Sequence, residues 1–265
     1  MSWDARQRAM LAEMGFRLPA APVVVAADAV LEQDEPEAIV VAAPPPPVMR
    51  VSAPAPVAAP VRAPAPALLS SFAALDLPAL REAVATCRAC GLCEQRRQAV
   101  FGAGALQAVE WLVVTDPPDD ADDAAGEPFV GDAGRLLDRM LMAAGQRRVP
   151  GKGGEAPTAF VTPIVKCRPP RGRAPQPGEL DACEAVLARQ VELLRPRAIL
   201  ALGLQAARRL TGLAEPLGKL RGRVHQWRGV PVVVSYPPAY LLRAPADKAG
   251  AWDDLCLAHQ AASAS

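Results

Sequence analysis

Apolar and polar positions along this chain fall into three regimes. From 2 to 18 (SWDARQRAMLAEMGFRL) the apolar residues Trp3, Met10, Leu11 and Met14 recur on one helical face. Ser2 or Asp4 can cap the start, and Gly15 stands where a left-handed C-cap falls. The spacing predicts one short helix, too short to be stable alone in water. From 19 to 69 the period disappears into Ala, Pro and Val, as in APPPPVMRVSAPAPVAAPVRAPAPA. Such a stretch builds no core and reads as a flexible linker; about 50 residues of it would span roughly 40 Å root-mean-square. Its runs VVVAADAV and EAIVV could pair as strands.

From 70 onward the pattern is that of a globular domain reaching residue 265. Four short β-rich runs stand out: WLVVTD (111–116), AFVTPIV (159–165), AILALG (198–203) and VPVVVSY (230–236). Helical patterns lie between them at 135–145, 179–195 and 204–212, and a last one covers 246–260. Strands alternating with helices predict a mainly parallel sheet covered on both faces.

Composition adds limits. The 265 residues suffice for one sizeable core, and the formal net charge of +1 gives no bulk argument for a polyanionic partner, so any nucleic-acid contact must come from local patches. Asp4, Arg6 and Arg8 interrupt any signal-peptide core, and no apolar stretch approaches the roughly 20 residues that span a bilayer. The expectation is a cytoplasmic monomer without a membrane partner. Six cysteines in such a chain argue for metal ligation or buried thiols rather than a disulfide scaffold.

Cys87 and Cys90 form a C-x-x-C pair, Cys167 follows a strand in VKCRPP, and Cys183 sits near the start of the 179–195 helix. The Pro/Arg loop between Cys167 and Cys183 can fold back to bring them together. By spacing alone other readings stay open. C-x-x-C is as often nothing as metal, zinc is the other chemical option, and Cys183 shares a face with Leu180, Val186, Leu187 and Val191 as a small core residue would. Cys93 and Cys256 are left over, Cys256 as a core residue of the last helix.

Several segments, in order across about 84–256, resemble the iron–sulfur uracil-DNA glycosylases, the fourth family of that superfamily. They are ATCRACGLCEQRRQAVFG, AGEPFVGDAGRLLDRML, VTPIVKCRPPRGRAP, LDACEAVLARQVELLRPRAILALG and KLRGRVHQWRGVPVVVSYPPAYLLR. The resemblance implies a three-layer α/β/α sandwich around a four-stranded, mainly parallel sheet, with DNA at the C-terminal strand ends. It implies a [4Fe–4S] cluster on Cys87, Cys90, Cys167 and Cys183, structural in role, and a hydrolase acting in DNA repair.

The chain departs from that family at its pocket. Where the family has G-E-A-P-G, this chain has Thr115-Asp116-Pro117-Pro118-Asp119, which makes Asp116 a one-methylene-shorter catalytic candidate. The stacking aromatic survives as Phe129. The pocket Asn is Pro163, and the His of H-P-A-Y-L-L-R is Pro237; neither side chain can hydrogen-bond a base. Excision is therefore expected to be weak or lost. His225 and His259 occupy no motif position, and His225 reads as structural.

Candidate DNA contacts are Arg168, Arg171 and Arg173 in KCRPPRGR, with Arg221 and Arg223 in a second basic loop. Tyr240 and Leu241 are candidate wedge residues and Arg243 a phosphate ligand. The same residues read equally well as solvated surface and, for Leu241 and Leu242, as a buried helical face. FGAG at 101–104 precedes a strand and lacks a third Gly, so it is not read as a phosphate loop.

At the N-terminus, Arg6, Leu11 and Met14-Gly15-Phe16 resemble the peptide with which the psi subunit of the bacterial polymerase III clamp loader grips the clamp-loader ATPase subunit. Psi subunits are similar to a further-eroded glycosylase fold, and they keep a tail similar to PAYLLRAPADKAGAWDDL. That implies a second function, a non-catalytic adaptor in DNA replication, with Trp3, Arg6, Leu11, Met14 and Phe16 as the partner-binding residues.

Overall fold

The computed structural model describes residues 72–151 and 153–264. The helix expected over 2–18 and the linker expected over 19–69 lie outside them.

The sheet has six strands: β1 (Ala103–Gly104), β2 (Trp111–Thr115), β3 (Ala159–Pro163), β4 (Ala198–Leu202), β5 (Val224–Trp227) and β6 (Val230–Ser235), in spatial order β1-β3-β2-β4-β6-β5. The four runs expected from the sequence are the central, mutually parallel strands β3, β2, β4 and β6. The expected four-stranded sheet is corrected at its edges, where β1 and β5 add antiparallel pairs. Neither edge strand carries a continuous apolar run. β5 is half solvated, and β1 is two residues long. Part of the FGAG segment is β1 itself. Gly104 has φ +131°, and a Cβ there would lie 2.2 Å from the Ala159 carbonyl oxygen, so only glycine lets this edge close on β3.

Eight α-helices are described: α1 (Leu77–Ala85), α2 (Asp120–Ala125), α3 (Asp132–Ala143), α4 (Pro177–Leu194), α5 (Leu204–Thr211), α6 (Leu217–Leu220), α7 (Pro238–Arg243) and α8 (Lys248–Ser263). The side chains of the central strands alternate between two cores. Leu112, Val114, Ile199 and Val234 pack on one side with Leu80 of α1, Leu187 of α4 and Leu210 of α5. Val113, Val161, Leu200 and Val233 pack on the other with Leu137 of α3 and Leu255 of α8. Burial on both faces is why these strands are apolar throughout rather than alternating. The result is the expected three-layer α/β/α sandwich. Among the described residues no helix is long and apolar enough to cross a membrane.

Register sets the functional edge. Thr115 pairs with both Pro163 and Leu202, and Leu202 pairs with Ser235. The residues that follow these strand ends therefore emerge level with one another. They include Asp116, the Ile164–Cys167 segment, Gly203 and Tyr236-Pro237.

Candidate metal centre and base pocket

The cysteines meet on the α1/α4 side of the sheet. Cys87 follows the C-terminus of α1, and Cys90 precedes a single 3₁₀ turn over Gly91–Glu94. Cys167 lies four residues beyond the end of β3, and Cys183 lies on the second turn of α4. α4 starts there because Pro177 pre-sets its first turn and the Glu179 carboxylate reaches back to the Gln176 N–H at 2.7 Å. Cys87, Cys90, Cys167 and Cys183 line one cavity. Cys93 lines the same cavity, which spacing did not reveal because it depends on the 3₁₀ turn. Cys256 belongs to α8 and packs against the opposite core, as expected of a core residue.

Desolvation and flanking basic side chains set the electrostatics of the cavity. Burial pushes the Cys183 thiol up to about 12 and the Cys90 thiol up to about 11. It also raises Cys167, against the pull of Arg96, whose Nη1 donates to Cys167 Sγ at 3.1 Å. Such thiols ionise when a metal replaces the proton. Lys166 is fully buried behind them, donating to Thr162 Oγ1, the Pro163 carbonyl and Gln190 Oε1 at 2.5, 2.8 and 3.0 Å. Burial pushes its ammonium down to about 7, while the neighbouring Cys183 and Cys167 pull it up. Among the described residues no group of three or more His, Cys, Asp or Glu side chains is arranged to hold a single metal ion. The thiols ring a cavity instead of converging on a point. The donor set, two buried and three half-buried thiols with adjacent basic side chains, fits an iron–sulfur cluster.

The base pocket is differently furnished. Asp116 does not face outward. Its Oδ1 accepts the Gln205 and Ala206 N–H groups at 2.8 and 3.0 Å, capping α5. Gly203 makes room for it, since a Cβ at that position would lie 2.3 Å from Asp116 Oδ2. Burial raises the Asp116 carboxyl despite these N–H donors. Its loss is thus foremost the loss of a helix cap, and Asp116→Ala is expected to cost about 0.5–2 kcal/mol in urea unfolding.

Phe129 stands at φ +59°, a left-handed conformation held from two sides. Asp122 accepts the Val130 N–H at 3.0 Å. Arg148 donates to the Pro128 and Phe129 carbonyls at 2.9 and 3.3 Å while paired with Asp138 at 2.6 Å. Asp122 and Arg148 were not singled out from the sequence, because their effect runs through backbone groups 8 and 19–20 residues away. Pro163 ends β3, and Pro237 precedes α7.

The expected DNA contacts divide. Arg168 pairs with Asp120 at 3.1 Å, Arg173 holds Glu179 through two bonds of 2.6 and 2.8 Å, and Arg223 pairs with Glu215 at 2.6 Å. Arg221 bonds Asp254 at 2.7 Å and lies 3.8 Å from the Tyr236 ring centroid. Most of the basic loops are therefore neutralised within the fold. Arg171 and Arg243 remain exposed. The wedge assignment is corrected: Leu241 is 1% exposed and part of the core beneath α7, whereas Leu242 is 45% exposed. On a short helix adjacent residues point about 100° apart, and tertiary packing selected the first of the pair. Tyr240 is half-buried, donates to Asp247 Oδ2 at 2.5 Å and lies 5.0 Å from the Tyr236 ring. His225 is structural as expected, its Nε2 donating to the Leu220 carbonyl at 2.8 Å.

Comparison with known proteins bears on the whole arrangement. A model of the uracil DNA glycosylase superfamily matches residues 101–256. A type-4 uracil-DNA glycosylase of Pyrobaculum aerophilum is 39% identical over 191 residues, covering 69% of this chain and 93% of that protein. Type-4 enzymes of Thermotoga maritima and Saccharolobus solfataricus are 37% and 34% identical, covering 61% and 64% of this chain and 81% and 79% of theirs.

Proposed function

Since the chain belongs to the uracil-DNA glycosylase superfamily, we propose that it is an iron–sulfur DNA-repair protein that binds DNA and whose own uracil excision is weak or lost. The observation that carries this reading is the meeting of Cys87, Cys90, Cys167 and Cys183 from three separate segments around one cavity, beside strand ends whose pocket positions are proline. Those four residues would hold a [4Fe–4S] cluster. When bound, it supplies a cross-link joining the Cys87 segment, the loop after β3 and α4. Within the chain, Lys166 fixes the Pro163 carbonyl at the pocket edge from the same network that borders the cavity.

The pocket has kept its stacking platform and lost its polar readers. Phe129 is held for stacking, but Pro163 and Pro237 offer no side-chain donor, and Asp116 is engaged with α5. Glycosylases read the flipped base through hydrogen bonds to its edge as well as by stacking. A protein left with stacking and backbone contacts binds DNA better than it cleaves the glycosidic bond.

DNA contact would fall on Leu242 and Arg243 at the tip of α7 and on Arg171. Leu242→Ala is expected to weaken duplex binding about tenfold, or about 1.4 kcal/mol, with unchanged stability. Leu241→Ala should instead cost about 2–5 kcal/mol of stability. Fluorescence anisotropy and urea unfolding of both variants separate the two. The reading as a whole is tested by iron and sulfide analysis of protein purified without oxygen, together with anisotropy on uracil-containing oligonucleotides. About four irons per chain and salt-dependent DNA binding are expected. An iron-free, fully folded protein, or one with no affinity for DNA, would overturn it.

A further inference from the structure

The fifth thiol has no place in the proposed ligand set. Cys93 lines the same cavity as Cys87, Cys90, Cys167 and Cys183. It sits in the 3₁₀ turn over Gly91–Glu94, and its N–H donates to the Cys90 carbonyl at 3.4 Å. That bond closes a three-residue step from Cys90, the residue that caps the turn, to Cys93 within it. Cys90 and Cys93 therefore approach the cavity from one small backbone unit, anchored beneath by Leu92, which is 1% exposed. Both thiols are half-buried, but Cys90 packs against the core and Cys93 does not. Arg96 follows on the same segment and donates to the Ala85 carbonyl at 2.7 Å, which ties the end of the turn to α1.

We infer that Cys93 is a reserve ligand: it takes the iron of Cys90 when Cys90 is absent or lets go of it, while Cys87, Cys167 and Cys183 stay bound. The exchange is a substitution without change of oxidation state. The Fe–S bond to Cys90 breaks, the Cys93 thiol passes its proton to the released Cys90 thiolate, and its sulfur forms the new bond to the same iron; where Cys90 is absent, the proton goes to water. Only the 3₁₀ turn has to shift, because the other three ligands come from elements that do not move with it. The inference rests on the cluster proposed above.

The test uses full-length protein purified without oxygen as wild type, Cys93→Ala, Cys90→Ala and Cys90→Ala/Cys93→Ala. Iron and sulfide are measured per chain, and iodoacetamide labelling is mapped by mass spectrometry. Wild type and Cys93→Ala should carry equal iron, Cys90→Ala should keep more than roughly half of it, and the double variant should keep less than roughly a tenth. Cys93 should be alkylated in wild type and protected in Cys90→Ala until iron is removed by a chelator. Iron in wild type but none in Cys90→Ala, or loss of iron in Cys93→Ala alone, would overturn the reserve role and leave the cluster standing. A wild type with no iron would overturn both.

Discussion

Incubated with uracil-containing single-stranded DNA, the protein is expected to release uracil on the order of 10⁴-fold more slowly than a type-4 uracil-DNA glycosylase assayed beside it. The magnitude follows from two missing donors. One preorganised hydrogen-bond donor to developing charge contributes about 10²–10³ in rate. Here the positions that would supply two of them are Pro163 and Pro237. Proline lacks both a polar side chain and a backbone N–H. The remaining candidate, Asp116, commits Oδ1 to two N–H groups at the start of α5, which leaves Oδ2 alone to orient water. Restoring both donors in Pro163→Asn/Pro237→His should raise the rate by at least about 10² if the scaffold around Phe129 is intact. A strand-cleavage assay decides the matter. Wild-type turnover equal to that of the active relative, abolished by an Asp116→Ala variant that remains folded, would show the pocket to be functional.

Replacing Cys183 by Ser should have the largest effect on the protein as a whole. Cys183 is buried on α4, and its thiol is held far from ionisation by desolvation until a metal replaces the proton. With the proposed cluster in place, losing Cys183 would remove the tie between α4 and the segments of Cys87 and Cys167. The variant should lose most of its iron and several kcal/mol of stability, a drop on the order of 10 °C in Tm for a domain of this size. Limited proteolysis should then cut between Ile164 and Arg173, where the loop crosses from β3 toward α4. Cys256→Ser, on the opposite face of the sheet, is the control and should change neither iron content nor Tm by more than a degree or two. Calorimetry and iron analysis of the two variants check this. An unchanged Tm for iron-free Cys183→Ser would remove the structural role from the cluster.

How much was legible in the sequence can be judged element by element. The four central strands were legible because burial on both sheet faces demands short, continuous apolar runs, and the runs at 111, 159, 198 and 230 begin where the strands begin. β1 and β5 were not, because an edge strand is held by backbone pairing and leaves little apolar pattern. Short helices such as α2 and α7 escaped for a similar reason. Their ends are set by local capping, as by Asp119, whose Oδ1 accepts the Ala121 and Asp122 N–H groups at 2.9 Å.

The site divides along the same line. Residue identities alone determined that four cysteines recur in motif positions and that two pocket positions are proline, because a side chain's chemistry does not depend on its neighbours. Which groups those side chains meet was decided only by tertiary structure. Packing buried Leu241 and exposed Leu242, turned Asp116 onto α5, brought Cys93 to the cavity, and gave Arg168 and Arg221 carboxylate partners from elsewhere in the chain. Orientation, burial and charge pairing are properties of spatial neighbours, and spacing along the chain carries them only where the neighbours are also local.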